Sequence, residues 1–323
     1  KPSQIPSYSR FFGEAAVELA ENNPRILAVT AAMPDGTGLD QFRDRIGKRF
    51  FDVGIAEQHA VTFSAGMAKV GARPLVAIYS TFLQRAIDMV MMDVALQDLP
   101  VVFALDRAGI VGDDGPTHNG VFDLSFMSMI PNMIVSAPKD EVELRDLLYT
   151  AFLQDKAPFS IRYPRGSGVG LMRSLRFREL PVGSWELLED GSDVAVLATG
   201  TMVYPALWAR KLLAKDGINA AVVNCRYIKP LDEQMLSELL SRFETMVTVE
   251  ENVLTGGFGS QVALFAAARP HTGTRIFHQG IPDRYIKQAR RNVILERLGL
   301  SPAGIHSFVK TAIAERVNEH SVK

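Results

Sequence analysis

Residues 49–66 read Arg49-Phe-Phe-Asp-Val-Gly-Ile-Ala-Glu-Gln-His-Ala-Val-Thr-Phe-Ser-Ala-Gly66. Within them, Phe50–Val53 is a short apolar run typical of a buried strand, and Gly54 interrupts it just before a helical pattern begins. Glu57 is therefore predicted in the first turn of a helix, just beyond the carboxyl end of a strand. Open α/β sheets bind their ligands at that edge. Acidic residues in a first turn also stabilise the helix dipole, so position alone leaves a structural and a functional carboxylate equally open.

The alternation of apolar runs and helical patterns continues through the whole chain. It predicts an α/β fold of two consecutive domains, each a mostly parallel sheet flanked by helices. We expect a first domain over 1–168, a linker over 169–184 and a second domain over 185–323. Strands are predicted at 26–29, 50–53, 75–79, 101–105, 133–135, 159–163, 194–198, 220–224, 246–249 and 275–278. Helices are predicted at 9–21, 56–70, 82–96, 139–154, 203–215, 233–243 and 260–268, with two more from about Asp283 and Ser301.

Composition excludes several classes of protein. The net charge is −1 with 22% charged residues, so no basic face indicates binding of nucleic acid or an anionic membrane. No uninterrupted apolar run reaches the length of about 18 residues that spans a bilayer. Cys225 is the single cysteine, which excludes an internal disulfide and favours a reducing compartment, so we expect a cytoplasmic protein. The polar, proline-containing residues 1–7 are interpreted as a linker that follows a further domain, absent here or carried by another chain.

A second group of candidate residues follows the strand predicted at 75–79. Thr81 is expected to cap the next helix. Phe82 and Arg85 are three positions apart and share a helical face, so an aromatic ring and a guanidinium can project toward one ligand. Alone this signal is weak, because an arginine near a helix start is usually a solvated surface residue.

The loop from Asp106 to Phe122 contains repeated glycines and clustered charges, more than a simple connection needs. Its Asp-Asp-Gly run lacks the spacing of a calcium loop. His118 alone suits a structural and a catalytic histidine equally well, and Arg107 and Asp114 on the same loop favour the catalytic interpretation. A second glycine-rich run, 256–260, lacks the spacing of a phosphate loop and is predicted as a tight strand-to-helix turn.

Four motifs, in chain order, carry a family resemblance: FDVGIAEQHAVTFSAGMA, YSTFLQRAIDMV, DRAGIVGDDGPTHNG and RYPRG. Together they resemble the 1-deoxy-D-xylulose-5-phosphate synthases, thiamine-diphosphate enzymes of the transketolase superfamily. The resemblance runs from Tyr8 to the C-terminus and covers the last two of that family's three domains. It implies condensation of pyruvate with D-glyceraldehyde 3-phosphate to 1-deoxy-D-xylulose 5-phosphate and CO₂, which feeds isoprenoid, thiamine and pyridoxal synthesis.

On the cofactor side, the resemblance implies that Glu57 exchanges a proton with the pyrimidine N1′ of thiamine diphosphate. Ile55 would support the folded shape of the cofactor, and Phe82 would stack on its aminopyrimidine ring. Tyr79 and Arg85 would lie near the substrate. Burial against Ile55 and other apolar groups would raise the pKa of Glu57 and the helix N-terminus would lower it, and the sequence leaves the balance open.

On the acceptor side, the resemblance assigns Arg107 to the phosphate of the aldehyde. Asp114 and His118 would bind, or exchange protons with, its hydroxyl and carbonyl oxygens. Arg165 is the candidate for a second cation at the phosphate, since bidentate guanidinium contacts suit phosphate geometry; its alternative is a linker charge in water. Arg162 ranks lower because its alternation with the next residue turns it to the other side of the strand.

The sequence has no G-D-G motif and no Asp/Asn cluster suited to octahedral Mg²⁺. We therefore expect the Mg²⁺ and diphosphate ligands on the missing N-terminal domain, no metal ligand in this chain, no activity of the chain alone, and a homodimer. The second domain is expected to serve packing and dimerisation, without a catalytic residue. The alternatives are a transketolase, a 2-oxo-acid dehydrogenase β-type subunit, and a non-catalytic interaction module on the same fold. Scattered positions of Arg107, Asp114 and His118 relative to Glu57 would favour the module.

Overall fold

The computed structural model describes residues 5–171, 176–269 and 273–321, with side chains described to residue 316, so the predicted linker lies partly outside the described residues. The strands are β1 (Ile26–Thr30), β2 (Phe50–Asp52), β3 (Arg73–Tyr79), β4 (Val102–Asp106), β5 (Ile134–Ser136), β6 (Phe159–Arg162), β7 (Glu186–Glu189), β8 (Val194–Ala198), β9 (Ala220–Asn224), β10 (Tyr227–Lys229), β11 (Thr245–Val253) and β12 (Arg275–Ile281). The α-helices are α1 (Tyr8–Asn22), α2 (Pro34–Thr37), α3 (Asp40–Ile46), α4 (Glu57–Lys69), α5 (Ser80–Leu83), α6 (Ile87–Met89), α7 (Asp123–Ser128), α8 (Glu141–Leu153), α9 (Val203–Lys215), α10 (Glu233–Arg242), α11 (Phe258–Ala267), α12 (Arg291–Arg297) and α13 (Pro302–Ser321).

The first sheet has seven strands in the order β10-β5-β6-β4-β3-β1-β2, and every neighbouring pair except β10–β5 is parallel. The second has five strands in the order β12-β11-β8-β9-β7, with only β7 antiparallel. The central strands are buried along their length, which is why they appear in the sequence as continuous apolar runs rather than alternating ones. The predicted α/β fold with two mostly parallel sheets is confirmed.

The two halves of the chain, β1–β6 with their helices and β7–β12 with theirs, are joined more closely than two consecutive domains require. Strand β10 comes from the second half of the chain but pairs antiparallel with β5, so it completes the edge of the first sheet. The aromatic ring of Tyr227 on this strand lies edge-on to Phe159, with ring centroids 6.2 Å apart, and both are buried. One hydrophobic core consequently runs from the first sheet into the second half.

Two predicted helices differ in the structure. The helix expected at 82–96 is a series of short turns: α5, a 3₁₀ turn, α6, a π-helical turn at Val90–Val94 and a final 3₁₀ turn. Its course breaks at Ala86, whose backbone (φ −118°, ψ 12°) leaves the helical region. The helix expected near Asp283 begins only at Arg291, because residues 282–290 instead run along the loop of the first half that contains His118.

The parallel arrangement aligns the carboxyl ends of β2, β3, β4 and β6 along one edge of the first sheet. Glu57 follows β2, Tyr79 ends β3, Arg107 follows β4 and Arg165 follows β6. This edge therefore gathers residues that are far apart in the sequence. Across the described ranges, no helix has both the length and the apolar character needed to cross a bilayer.

Candidate active site

Glu57 is the first residue of α4 and is only 2% exposed. Gly54 reaches the turn before it with a φ of 73°, which favours glycine, and the Asp52 side chain accepts the Gly54 amide at 3.0 Å. In the described part of the chain, the one polar side chain that contacts the carboxyl group is Arg85, with Nη1 3.5 Å from Oε2. A buried carboxyl needs more partners than this long contact provides, so it is suited to bind a donor group of a ligand.

The expectation that Ile55 helps to bury Glu57 is wrong. Ile55 precedes α4 by two residues, and its side chain is 80% exposed, so it covers little of the buried Glu57. Its exposure leaves it available to contact a ligand, and its role beside a cofactor stays a prediction.

Phe82 is at the centre of a group of aromatic and cationic side chains. Its ring stacks on Tyr79, with centroids 5.5 Å apart at an interplanar angle of 20°, and meets His118 edge-on at 5.4 Å. The guanidinium carbon of Arg85 lies 5.7 Å from the same ring. A continuous series of contacts therefore connects Glu57 through Arg85 and Phe82 to His118.

Arg107 extends this group of contacts through Tyr79. Its guanidinium carbon lies 3.8 Å from the centroid of the Tyr79 ring, a cation–π contact. Nη1 donates to the Gly36 carbonyl at 2.7 Å and to the Asp106 carboxylate at 2.9 Å. Nε and Nη2 make no hydrogen bond to any described residue, so one side of the planar fork is left for a phosphate or carboxylate. The backbone of Arg107 has a φ of 59°, an uncommon conformation for a non-glycine residue.

Asp106 fixes this arginine from inside the fold. It is fully buried, it accepts a hydrogen bond from Ser9 Oγ at 2.6 Å, and it accepts the bond from Arg107 on its other oxygen. Burial raises the pKa of Asp106 to about 6, and the charge of Arg107 opposes the rise. The sequence analysis missed Asp106, although an acidic residue at the end of a buried strand and next to a candidate arginine was the available signal.

The remaining acceptor-side residues lie on the same edge. Arg165 and Asp114 form a direct, partly exposed ion pair, so they neutralise each other in the structure. His118 Nδ1 lies 3.0 Å from Thr117 Oγ1. The prediction that Thr81 caps the following helix is wrong, because α5 begins at Ser80 and Thr81 lies inside it. Its hydroxyl donates instead to the Thr117 carbonyl at 3.0 Å. This bond fastens α5 to the loop that contains His118.

Arg162 does not belong to this group. It is 5% exposed, pairs with Asp123 at 2.8 Å, and donates to the carbonyls of Gly120 and Glu251. Over the described residues, no three His, Cys, Asp or Glu side chains lie close enough together to hold a metal ion. The structure thus brings together, by direct contact, Glu57, Arg85, Phe82, Tyr79, His118 and Arg107. The Arg165–Asp114 pair is close enough for both charges to interact with Tyr79.

Comparison with known proteins identifies the family of this chain. Residues 5–169 match the family model "Transketolase, pyrimidine binding domain", and residues 183–305 match "Transketolase, C-terminal domain". The chain belongs to the transketolase family.

Among curated proteins, this transketolase-family chain is 52% identical over 313 residues to the 1-deoxy-D-xylulose-5-phosphate synthase of Aquifex aeolicus (strain VF5). It is 52% identical over 310 residues to 1-deoxy-D-xylulose-5-phosphate synthase 1 of Geobacter sulfurreducens. The alignments cover 97% and 96% of this chain but 49% and 48% of the relatives, so the chain spans about half the length of the curated relatives it matches.

One solved structure gives the same family, and a second shares the fold. A split gene transketolase, described as an inactive β4 tetramer, superimposes with a TM-score of 0.85 at 31% identity, covering 95% of this chain and 98% of that one. A transketolase mutant from Pichia stipitis shares the fold with a TM-score of 0.78 at 19% identity, over 97% of this chain and 46% of that one.

Proposed function

We propose that this chain supplies the pyrimidine-side half of the active site of a thiamine-diphosphate-dependent 1-deoxy-D-xylulose-5-phosphate synthase. The reaction condenses pyruvate with D-glyceraldehyde 3-phosphate, releases CO₂ and commits carbon to isoprenoid synthesis. The observation that carries the proposal is the buried Glu57 connected through Arg85 and Phe82 to His118. The two relatives named as this synthase, each 52% identical, support the choice of reaction.

The described residues fit the pyrimidine end of thiamine diphosphate. Glu57 offers a buried carboxyl with a single long contact to Arg85, and Phe82 offers a ring that contacts the same arginine. When bound, the cofactor would supply the carbon centre that takes up pyruvate and releases CO₂. Glu57 would hold or release a proton at the pyrimidine N1′. Phe82 would stack on the pyrimidine ring. The exposed Ile55, two residues before Glu57, would also contact the cofactor.

The same residues do not fit the diphosphate end. No described cluster of acidic residues suits Mg²⁺, which needs oxygen ligands in near-octahedral geometry. Because the chain spans about half the length of its curated relatives, we include in the proposal a separate diphosphate-binding domain that holds Mg²⁺, on this polypeptide or on another. The proposal also includes a homodimeric assembly and a cytoplasmic location.

The acceptor aldehyde would bind between Arg107 and His118, which are connected through Tyr79 and Phe82. The free Nε and Nη2 of Arg107 would take two phosphate oxygens, while Asp106 and Gly36 hold the guanidinium through Nη1. Arg165 would exchange its exposed pairing with Asp114 for a phosphate contact, which costs little because exposed ion pairs are weak. That exchange would release Asp114 for a substrate hydroxyl, and His118 would transfer a proton at the aldehyde oxygen.

The test combines the chain with a diphosphate-binding domain, thiamine diphosphate, Mg²⁺ and both substrates, and measures CO₂ release from carboxyl-labelled pyruvate. We expect release that depends on the added domain. Glu57→Ala should lower it by about 10²–10⁴-fold, the usual contribution of a positioned acid–base group. Glu57→Gln, which keeps the size of the side chain but not its proton exchange, should fall by a similar factor. Undiminished CO₂ release in either variant would remove the central assignment.

The second candidate is one half of a split transketolase, because the split gene transketolase matches this chain over 98% of its own length. Such an enzyme would transfer a two-carbon unit from a ketose phosphate and release no CO₂. Turnover of a ketose donor without CO₂ from pyruvate would favour it. A non-catalytic module is disfavoured by the convergence of Arg107 and His118 with Glu57.

A further inference from the structure

The loop that contains Asp114 and His118 is closed at its base by two glycines. The amide of Gly109 donates to the Gly120 carbonyl at 2.6 Å, and the amide of Gly120 donates back to the Gly109 carbonyl at 2.9 Å. We call residues 109–120 the histidine loop. Gly109 has a φ of 77°, and a Cβ placed on it would lie 2.6 Å from Cδ of Glu251. The base of the histidine loop is therefore pressed against a side chain from the second half of the chain.

Two charged residues of the second half hold the next residue of the loop by its backbone. Glu251 Oε1 accepts the amide of Ile110 at 2.7 Å, and Arg291 Nε donates to the Ile110 carbonyl at 3.0 Å. The same two side chains pair with each other, Nη2 to Oε2, at 2.6 Å. Glu251 is 1% exposed, and losing Arg291 would leave its buried carboxylate without a cationic partner. The base of the histidine loop is thus fixed to the second half through both peptide groups of one residue.

The tip of the loop is held by the segment just before α12. Gln288 Nε2 donates to the carbonyl of Asp113, the neighbour of Asp114, at 2.5 Å. A Cβ on Gly112 would lie 2.7 Å from the amide nitrogen of Arg291, so the segment and the loop are in van der Waals contact there. Gln288 is exposed, and its bond to the loop can therefore be removed without opening the core.

We propose that Glu251, Gln288 and Arg291 are positioning residues that set where Asp114 and His118 stand relative to the acceptor substrate. This inference rests on the proposed function, and it gives the second half a part in the reaction. The physical reason is that catalytic groups must be held closely, since a displacement of about 1 Å can cost roughly 10²-fold in rate. None of the three side chains needs to touch the substrate for this effect.

The kinetic test uses the chain combined with its diphosphate-binding domain, cofactor and Mg²⁺. Gln288→Ala should raise KM for D-glyceraldehyde 3-phosphate about tenfold, the scale of one lost hydrogen bond, and leave KM for pyruvate unchanged. Lys287→Ala removes a neighbouring exposed side chain that has no described contact with the loop, and should change neither constant. Equal behaviour of the two variants, or equal effects on both substrates, would overturn the positioning role.

A second measurement needs no turnover. Arg291→Lys keeps a positive charge for Glu251 but loses the Nε bond to Ile110, so amide hydrogen exchange within 110–120 should accelerate about tenfold while β3 stays unchanged. Unchanged exchange in the loop, or equal acceleration in β3, would refute the inference. If wild-type protein turns over neither substrate, the proposed function fails, and hydrogen exchange still decides whether the second half holds the loop.

Discussion

At the scale of single residues, Arg107 shows how a buried partner can orient a side chain that we propose as a phosphate-binding group. Asp106 and Gly36 take one nitrogen of the guanidinium, and Tyr79 covers its face. The remaining two donors are held in a plane rather than moving freely. This reduces the side-chain entropy that phosphate binding would otherwise cost, which favours the assignment of this arginine over an ordinary surface arginine.

Replacing Arg107 should therefore affect one substrate selectively. Arg107→Ala is expected to raise KM for D-glyceraldehyde 3-phosphate by about 10–100-fold, from the loss of charge-assisted hydrogen bonds, with little change for pyruvate. Arg107→Lys keeps the charge but not the planar fork, and should recover only part of the loss. Steady-state kinetics with each substrate varied in turn measures both constants. An equal loss for pyruvate would contradict the phosphate role.

The residues of the candidate site could be predicted from sequence to the extent that motifs mark them. Glu57, Phe82 and His118 are on motifs whose spacing is local, and the parallel sheet then brings them to one edge. Glu251 and Arg291 could not be found in this way, because their contacts to Ile110 span 141 and 181 positions. No local pattern carries information about a pairing that only the tertiary fold creates.

At the scale of elements, the start of α11 illustrates a carboxyl group placed where a ligand could otherwise bind. The predicted tight turn at 256–260 is confirmed, and the buried Glu250 accepts the amides of Phe258 and Gly259, both at 2.8 Å. A Cβ on Gly257 would lie 2.2 Å from Glu250 Oε2, so this glycine makes room for the carboxyl group. The chain's own carboxyl group therefore occupies the helix N-terminus, which explains why the glycine-rich run is not a phosphate loop.

This element has a testable dependence on pH. Burial raises the pKa of Glu250 from 4.5 to about 8, against the opposing effect of the two amides. Between these two pKa values the folded state binds more protons than the unfolded state. The stabilising contribution of the protonated Glu250 is therefore fully present below pH 4.5 and is lost as the pH rises through about 8. The free energy of unfolding of wild type, relative to Glu250→Gln, should therefore fall as the pH rises from about 5 to about 8. Urea denaturation at several pH values measures the difference. If the stability of wild type relative to Glu250→Gln rose with pH instead, the helix amides would be keeping the carboxylate ionised.

Elements with strong periodicity were predictable, and those set by tertiary contacts were not. The buried strands and α4, α8, α9 and α10 follow their local patterns closely. The three-residue β10 has no pattern long enough to detect, and it exists because it pairs with β5. The late start of α12 has a similar cause, since residues 282–290 contact the histidine loop instead of forming helical bonds.

At the scale of the whole molecule, the two halves are connected by a shared edge strand and a shared hydrophobic core. The second half also binds the histidine loop of the first. Tyr227 is central to this connection: it is fully buried, its hydroxyl donates to the Leu180 carbonyl at 2.8 Å, and its own carbonyl accepts Trp185 Nε1 at 2.8 Å. Domains connected only by a linker would unfold independently. Halves connected in this way should unfold together.

Tyr227→Ala tests this coupling directly. Truncating a fully buried aromatic residue should lower the free energy of unfolding by about 3–5 kcal/mol, whereas Tyr227→Phe, which loses only the hydroxyl bond to Leu180, should cost about 1 kcal/mol. Both tryptophans, Trp185 and Trp208, are in the second half, so their fluorescence reports that half alone, while far-UV circular dichroism reports the whole chain. The two signals should give the same denaturation midpoint in wild type and should shift together in Tyr227→Ala. A shift of the fluorescence midpoint alone would show that the halves unfold separately, and the first sheet would then be stable without its shared strand.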